Sequence, residues 1–318
     1  MSVRTVQEIA EGLAAEVGKA VLGQEEVVRQ CIRAVLAGGH VLLEGVPGTA
    51  KTLLVKALAH AVGCEFRRVQ LTPDLMPADI IGVSVFNTAR GEFEFRRGPV
   101  FTQFLLADEV NRAPAKTQSA LLEGMEERRV TVDGQAYPLP HPFTVFATQN
   151  PIEHEGTYPL PEAQLDRFLF KCLVDYPSRE EEWRVLDMHH RGVDPHSLES
   201  LGVQCAVAPE ELDAARQEIT AVTVDPSVME YVLDVVRASR QSPFVLLGAS
   251  PRAAALLLIA SKAAAAESGR GFVVPDDVKG AAVPILRHRL ILQPEAEVDG
   301  LSPDAAIDSI VNSVPVPR

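Results

Sequence analysis

The sequence predicts an α/β fold: a three-layer αβα core around a parallel five-stranded sheet, followed by an all-α second domain. Three observations carry this reading. Short apolar runs rich in β-formers alternate with helical periodicities through the first half. A glycine-bearing loop joins the first such run directly to a helix. Beyond Tyr176-Pro177 the strand pattern nearly stops and helical periods take over.

Residues 5–37 read as two amphipathic helices, broken by Gly18 and the Leu22-Gly23-Gln24 turn. The run 40–44 is a buried parallel strand, and 52–62 has helical periodicity, so strand, loop and helix follow one another as the opening of a βα unit. Further strands are expected at 65–70, 102–107, 143–148 and 168–174, with helices at 116–127 and 162–167. Two stretches break the rhythm. Residues 83–95 alternate like a hairpin around Arg90-Gly91, and 129–137 alternate around Asp133-Gly134, a type I′ turn signal. Helices are expected at 179–190, 209–220, 226–240, 251–268 and 275–289, several with proline near the first position, where its missing N–H costs nothing. The domains divide near residue 178, into 1–178 and 179–318. The tail 294–318 is too mixed to assign.

Composition narrows the classes of function. The 318 residues are 47% hydrophobic and 23% charged, an ordinary folded composition, with enough chain for two compact units. A formal charge of −13 repels phosphodiester backbones, so nucleic acid is not an expected partner. Cys31, Cys64, Cys172 and Cys205 lie far apart, which suits reduced thiols in a cytoplasmic protein. The N-terminus lacks the apolar stretch of a signal peptide, and no run approaches the roughly 20 apolar residues of a membrane span. No membrane association is expected.

The chemistry concentrates in Gly45-Val46-Pro47-Gly48-Thr49-Ala50-Lys51-Thr52, after a strand and before a helix, the context of a phosphate-binding loop. Amides there converge with the positive end of the helix and hold an anionic triphosphate without bulky side chains. Lys51 is expected to reach the β- and γ-phosphates of ATP, and Thr52 to ligate Mg²⁺. Ala50 stands where glycine is usual, a small cost if its φ is helical. The apolar run 104–107 ends in Asp108-Glu109, a Walker B form: Asp108 serves the Mg²⁺ shell and Glu109 polarises the attacking water. Gln149-Asn150-Pro151 closes the next strand. Asn150 either bonds the water or γ-phosphate from between the two nucleotide-binding strands, or caps a turn before proline.

These motifs resemble those of the AAA+ ATPases and, in LLEGVPGTAKT, LLADEVNRAPAKTQSALLEGMEE, FATQNPIEHEGTYPLPEAQLDRF and GASPRAAALLLIASKA, those of the MoxR family over nearly the whole chain. The resemblance implies an AAA+ P-loop core with a helical lid domain and accommodates Ala50. It implies that the hairpin at 83–95 is the helix-2 insert and that at 129–137 the pre-sensor insertion. It makes Arg167 the arginine finger offered to a neighbouring subunit, Arg252 the second sensor, and Gly23-Gln24 part of the adenine pocket. The implied assembly is a ring homo-oligomer, a hexamer, working as a chaperone-like ATP hydrolase on a client protein with a separate von Willebrand factor A domain partner. A magnesium-chelatase-like subunit, an ATP-gated binding module without hydrolysis, and a helicase-like motor stay open beside it. Three other features read as structural: His189-His190 with His196, whose spacing fits no standard metal site, the solvated helix turn Glu180-Glu181-Glu182, and Trp183 as a packing residue.

Overall fold

A computed structural model describes residues 4–151, 157–194 and 197–317. The elements run α1 (Val6–Gly18), α2 (Glu25–Leu36), β1 (Val41–Gly45), α3 (Lys51–Ala61), β2 (Phe66–Gln70), α4 (Pro77–Ile81), β3 (Gly82–Asn87) and β4 (Glu92–Arg97). They continue with β5 (Phe104–Asp108), α5 (Ala115–Glu127), β6 (Arg129–Val132), β7 (Gln135–Pro138), β8 (Thr144–Gln149), α6 (Glu162–Leu165) and β9 (Phe170–Val174). After them come α7 (Arg179–His190), α8 (Pro209–Ala221), α9 (Pro226–Ser239), β10 (Val245–Leu247), α10 (Pro251–Glu267), α11 (Pro275–Leu286), β11 (Ile291–Leu292), α12 (Pro294–Val298) and α13 (Pro303–Ser313).

The five-stranded sheet has the order β2-β5-β8-β1-β9, and every pairing in it is parallel. Leu43 lies opposite Thr148, and Gln70 opposite Asp108, so the carboxyl ends of β1, β5 and β8 meet along one edge. That edge is where α/β sheets bind ligands, because loops and helix N-termini converge there. The interior strands β1, β5 and β8 are almost wholly buried, as their unbroken apolar runs require, while β2 at the sheet edge is half exposed. One apolar cluster fills the face under α1, α2 and α3 and continues into α8, α10 and α11; a second fills the opposite face under α5.

Both hairpins form as expected, β3 with β4 and β6 with β7. Asp133 and Gly134 have φ of 51° and 79°, the paired positive values of a type I′ turn. Phe95 of the first hairpin stacks on Tyr137 of the second, ring centroids 4.2 Å apart. Helix starts follow local capping chemistry: Thr5 with Glu8, and Ser178 with Glu181, form reciprocal capping boxes, and Ser250 caps α10. Proline stands in the first turn of every helix from α8 to α13.

Two features differ from the sequence reading. The helical half carries a small antiparallel pair, β10 with β11, too short to leave a periodic signal. The unassigned tail contains α12 and α13; the latter starts at the Ser302 cap and buries Ala306, Ile307, Ile310 and Val311. No helix among the described residues is long and apolar enough to cross a membrane.

Candidate functional site

The loop after β1 is shaped by what its backbone must avoid. A Cβ on Gly45 would lie 2.3 Å from the carbonyl oxygen of Val174 on β9, so a side chain there would force the two strands apart. Gly48 is exposed at φ of +86°, a conformation that favours glycine. The Thr49 hydroxyl donates to the Val46 carbonyl at 2.9 Å and closes the turn. Lys51 opens α3, and its ammonium donates to the carbonyls of Gly45 at 2.9 Å and Val46 at 2.6 Å. Burial lowers the lysine below its ordinary value, opposed by the nearby charges of Asp108 and Glu109. The condition under which Ala50 would cost little is not met: its φ is +60°, in the left-handed region, so the residue before Lys51 is strained where glycine would not be.

Asp108 ends β5 with both carboxylate oxygens engaged. Oδ1 accepts a short hydrogen bond from the Thr148 hydroxyl, and Oδ2 faces Arg68 Nη2 at 2.7 Å. Glu109 follows at φ +58°, in the left-handed region and strained for a residue with a side chain. Its amide donates to Thr148 Oγ1 at 2.8 Å, and its carboxylate pairs with Arg112 Nε at 3.1 Å. Thr148 thus fixes both acidic residues from the neighbouring strand. Asn150, just past the end of β8, is 92% buried, its exposure being 8%.

These residues share one cleft of about 1060 Å³, lined by Gly45, Pro47–Thr52, Asp108, Glu109 and Asn150. Val46 contributes through the carbonyl that holds Lys51. Thr52 supplies a hydroxyl and Asp108 a carboxylate to the same space. No cluster of three His, Cys, Asp or Glu among the described residues could hold a metal unaided. That donor set fits Mg²⁺, which keeps few protein ligands and completes its shell with substrate phosphates and water.

The far wall comes from the segment leading into α2 and from α7. Gln24 lines the cleft, and its amide donates to the Asp175 carbonyl at 2.7 Å, which ties this segment to the end of β9. Gly23 stands behind it at φ +72°, where a Cβ would come 2.2 Å from the Glu181 carboxylate. Tyr176, Val185, Leu186 and His189 complete the wall. The sequence reading missed these, together with Arg68 and Thr148. Alternation along Phe66–Gln70 does put Arg68 on one face with Gln70, a signal open to reading. Trp183 is corrected: on a helix with no buried residue it is 64% exposed rather than packed. His196, once considered with His189, lies outside the described residues.

Arg167 and Arg252 do not join the cleft. They meet each other's partner elsewhere, on Glu126 at the end of α5, with Arg167 Nη2 3.1 Å from Oε2 and Arg252 Nη1 3.2 Å from Oε1.

Comparison with known proteins identifies the family. Residues 40–170 match the family described as "ATPase family associated with various cellular activities (AAA)", and residues 237–310 match the AAA lid domain. The chain is 46% identical to the protein YeaC of Bacillus subtilis, over 95% of this chain and 92% of the relative. It is 45% identical to Chaperone MoxR1 of Mycobacterium tuberculosis, over 97% and 85%, and 34% identical to protein MoxR of Paracoccus denitrificans, over 93% of each. A crystal structure from Cytophaga hutchinsonii, put forward as an ATPase, superposes with a TM-score of 0.89 at 43% identity, covering 98% of this chain and 96% of that one. With both matched regions in their expected order and relatives aligned over nearly its full length, the chain belongs to the MoxR family of AAA+ ATPases.

Proposed function

We propose that this protein hydrolyses ATP to ADP and phosphate and spends the energy on chaperone-like remodelling, maturation or cofactor insertion of a client protein. The carrying observation is that Lys51, Thr52, Asp108, Glu109 and Asn150, drawn from three strand ends, line one cleft.

In this reading the loop amides of Gly45–Lys51 and the α3 N-terminus receive the phosphates, and Lys51 turns from its own loop carbonyls to the β- and γ-oxygens. The exposed flanks of Val185, Leu186 and Tyr176 offer an apolar surface to the adenine, next to Gln24 and Gly23. Thr52 and, through its water shell, Asp108 would hold Mg²⁺, which when bound would supply charge neutralisation at the phosphate oxygens. Glu109 orients the attacking water and draws off its proton, and Asn150 bonds the water or γ-phosphate.

Arg167 and Arg252 point to assembly, because both guanidiniums lie off their own chain's cleft. We take Arg167 as the finger that serves the next subunit in a ring, a hexamer, with Arg252 beside it as a second phosphate-sensing cation. Residues 1–178 then form the nucleotide-binding core and 179–318 the lid. The client and a separate von Willebrand factor A domain protein would be met in the cytoplasm. The net charge of −13 argues against nucleic acid as the cargo.

The decisive measurement is steady-state phosphate release by Glu109→Gln. Turnover should fall at least ~100-fold with Mg-ATP binding retained, in line with loss of a general base; undiminished turnover would sink the assignment.

A further inference from the structure

Arg289 follows α11 in the lid, and its side chain is 2% exposed. Burying a guanidinium is costly unless every donor is met, and here all are. Nε donates to Asp166 Oδ1 at 2.6 Å. Nη2 donates to the backbone carbonyls of Asp166 at 2.9 Å and Phe168 at 2.5 Å. Nη1 faces the Ile285 and Leu169 carbonyls and the His288 ring. Burial lowers Arg289 below the usual arginine value, and the Asp166 carboxylate counters it.

What Arg289 grips is the chain on both sides of Arg167. Its two bonds to the carbonyls of residues 166 and 168 leave the intervening residue little freedom to turn. A second tie comes from the same direction: the Ser250 hydroxyl, which caps α10, donates to Asp166 Oδ2 at 3.2 Å. Two residues beyond Ser250, Arg252 reaches the carboxylate of Glu126 that also holds Arg167. Asp166, Arg167, Glu126, Arg252 and Ser250 therefore close a circuit, with Arg289 bracing it from inside the lid. A surface arginine needs none of this; a cation that must present itself at a fixed angle does.

We propose that Arg289, acting through Asp166 and the carbonyls beside it, is a positioning residue for Arg167. This inference rests on the reading of Arg167 as a group that completes the nucleotide site of a neighbouring subunit. It adds that the finger is mounted on the lid: whatever orients the lid orients the cation offered to the next site. Arg289 itself touches no nucleotide.

The test uses full-length protein assembled with Mg-ATP. Arg289→Lys keeps the charge but cannot span Asp166 and both carbonyls. Ser250→Asp keeps a competent helix cap while setting a carboxylate against Asp166, and it carries the test if the buried lysine prevents folding. Each variant should lower kcat about 10- to 100-fold, the range expected of a misplaced group, with KM for Mg-ATP within about twofold of the parent. Mixing the variant with Lys51→Ala subunits, which carry an intact Arg167 but no working phosphate loop, should restore turnover per variant subunit. A defect in the variant's own site or in its fold would not be restored this way. Unchanged kcat in a folded variant, or a loss that Lys51→Ala subunits fail to rescue, overturns the inference. Arg167→Ala run alongside separates the two levels. If that variant keeps full turnover or is not rescued, the trans-acting reading itself falls; if it is rescued while Arg289→Lys and Ser250→Asp lose nothing, only the positioning role falls.

Discussion

Arg68 Nη2 lies 2.7 Å from Asp108 Oδ2, an ion pair that joins the edge strand β2 to the acidic end of β5 inside the candidate cleft. The Arg68 side chain is 48% exposed, so the pair is weak, within about 1 kcal/mol, yet it occupies the carboxylate that the proposed Mg²⁺ shell requires. Cation and guanidinium compete for one group.

Arg68→Ala is expected to lower the Mg²⁺ concentration that half-saturates ATP turnover by about 2- to 5-fold, the equivalent of up to about 1 kcal/mol. Titrating Mg²⁺ at fixed ATP reads this directly. A half-saturation point that does not move, or that rises, refutes the competition.

Thr148 is the hinge between the two acidic residues, donating to Asp108 Oδ1 and accepting from the Glu109 amide at 2.8 Å. Thr148→Val keeps the shape and removes both bonds, leaving the amide of a residue strained at φ +58° without its acceptor. Turnover should fall about 10-fold or more with little change in KM, and stability by about 1–3 kcal/mol, whereas Thr148→Ser should recover most of both. Paired kinetics and chemical denaturation decide it: equal losses in the valine and serine variants would point away from the hydroxyl.

His40, just before β1, is locked as a neutral ring. Its Nδ1 accepts from the Val145 amide at 2.9 Å and its Nε2 donates to the Met125 carbonyl at 3.1 Å. Burial first, and the Arg128 charge second, bring its pKa down from 6.5 to about 3. A depressed folded-state value means that the unfolded chain takes up a proton before the folded chain does. Stability is therefore full above about pH 6.5 and is lost as pH falls toward 3, at about 1.4 kcal/mol per pH unit from this residue. His288, also buried and lowered, acts in the same direction. Urea midpoints at pH 7.5, 5.5 and 4.5 should decline in the parent and decline less steeply in His40→Gln; parallel slopes would remove His40 as the source.

Much of the candidate site is legible because it is built from contiguous chain. Gly45 to Thr52 announce strand, loop and helix within eight positions, and Asp108-Glu109 closes an apolar run whose burial demands a central strand. Local conformation was less legible. Ala50 reads as a mild substitution for glycine until its φ of +60° is known, and the short β10–β11 pair carries too few residues for a period to form. The tail held a readable start at Ser302-Pro303, but its apolar spacing spoke only once α13 had a surface to bury against.

Fold class, the glycine-bearing loop before α3 and the acidic pair at the end of β5 can be read from the chain alone, since each depends on residues within one turn or strand of one another and on periodicities of 2 and 3.6. The folded chain alone reveals that Arg68 sits on Asp108, that Thr148 serves both acids, that Arg167 and Arg252 share Glu126, and that Arg289 braces the chain beside Arg167. Those contacts join residues from separate elements, some more than a hundred positions apart. Strand order and the reach of individual side chains set them, and neither leaves a mark in the local pattern.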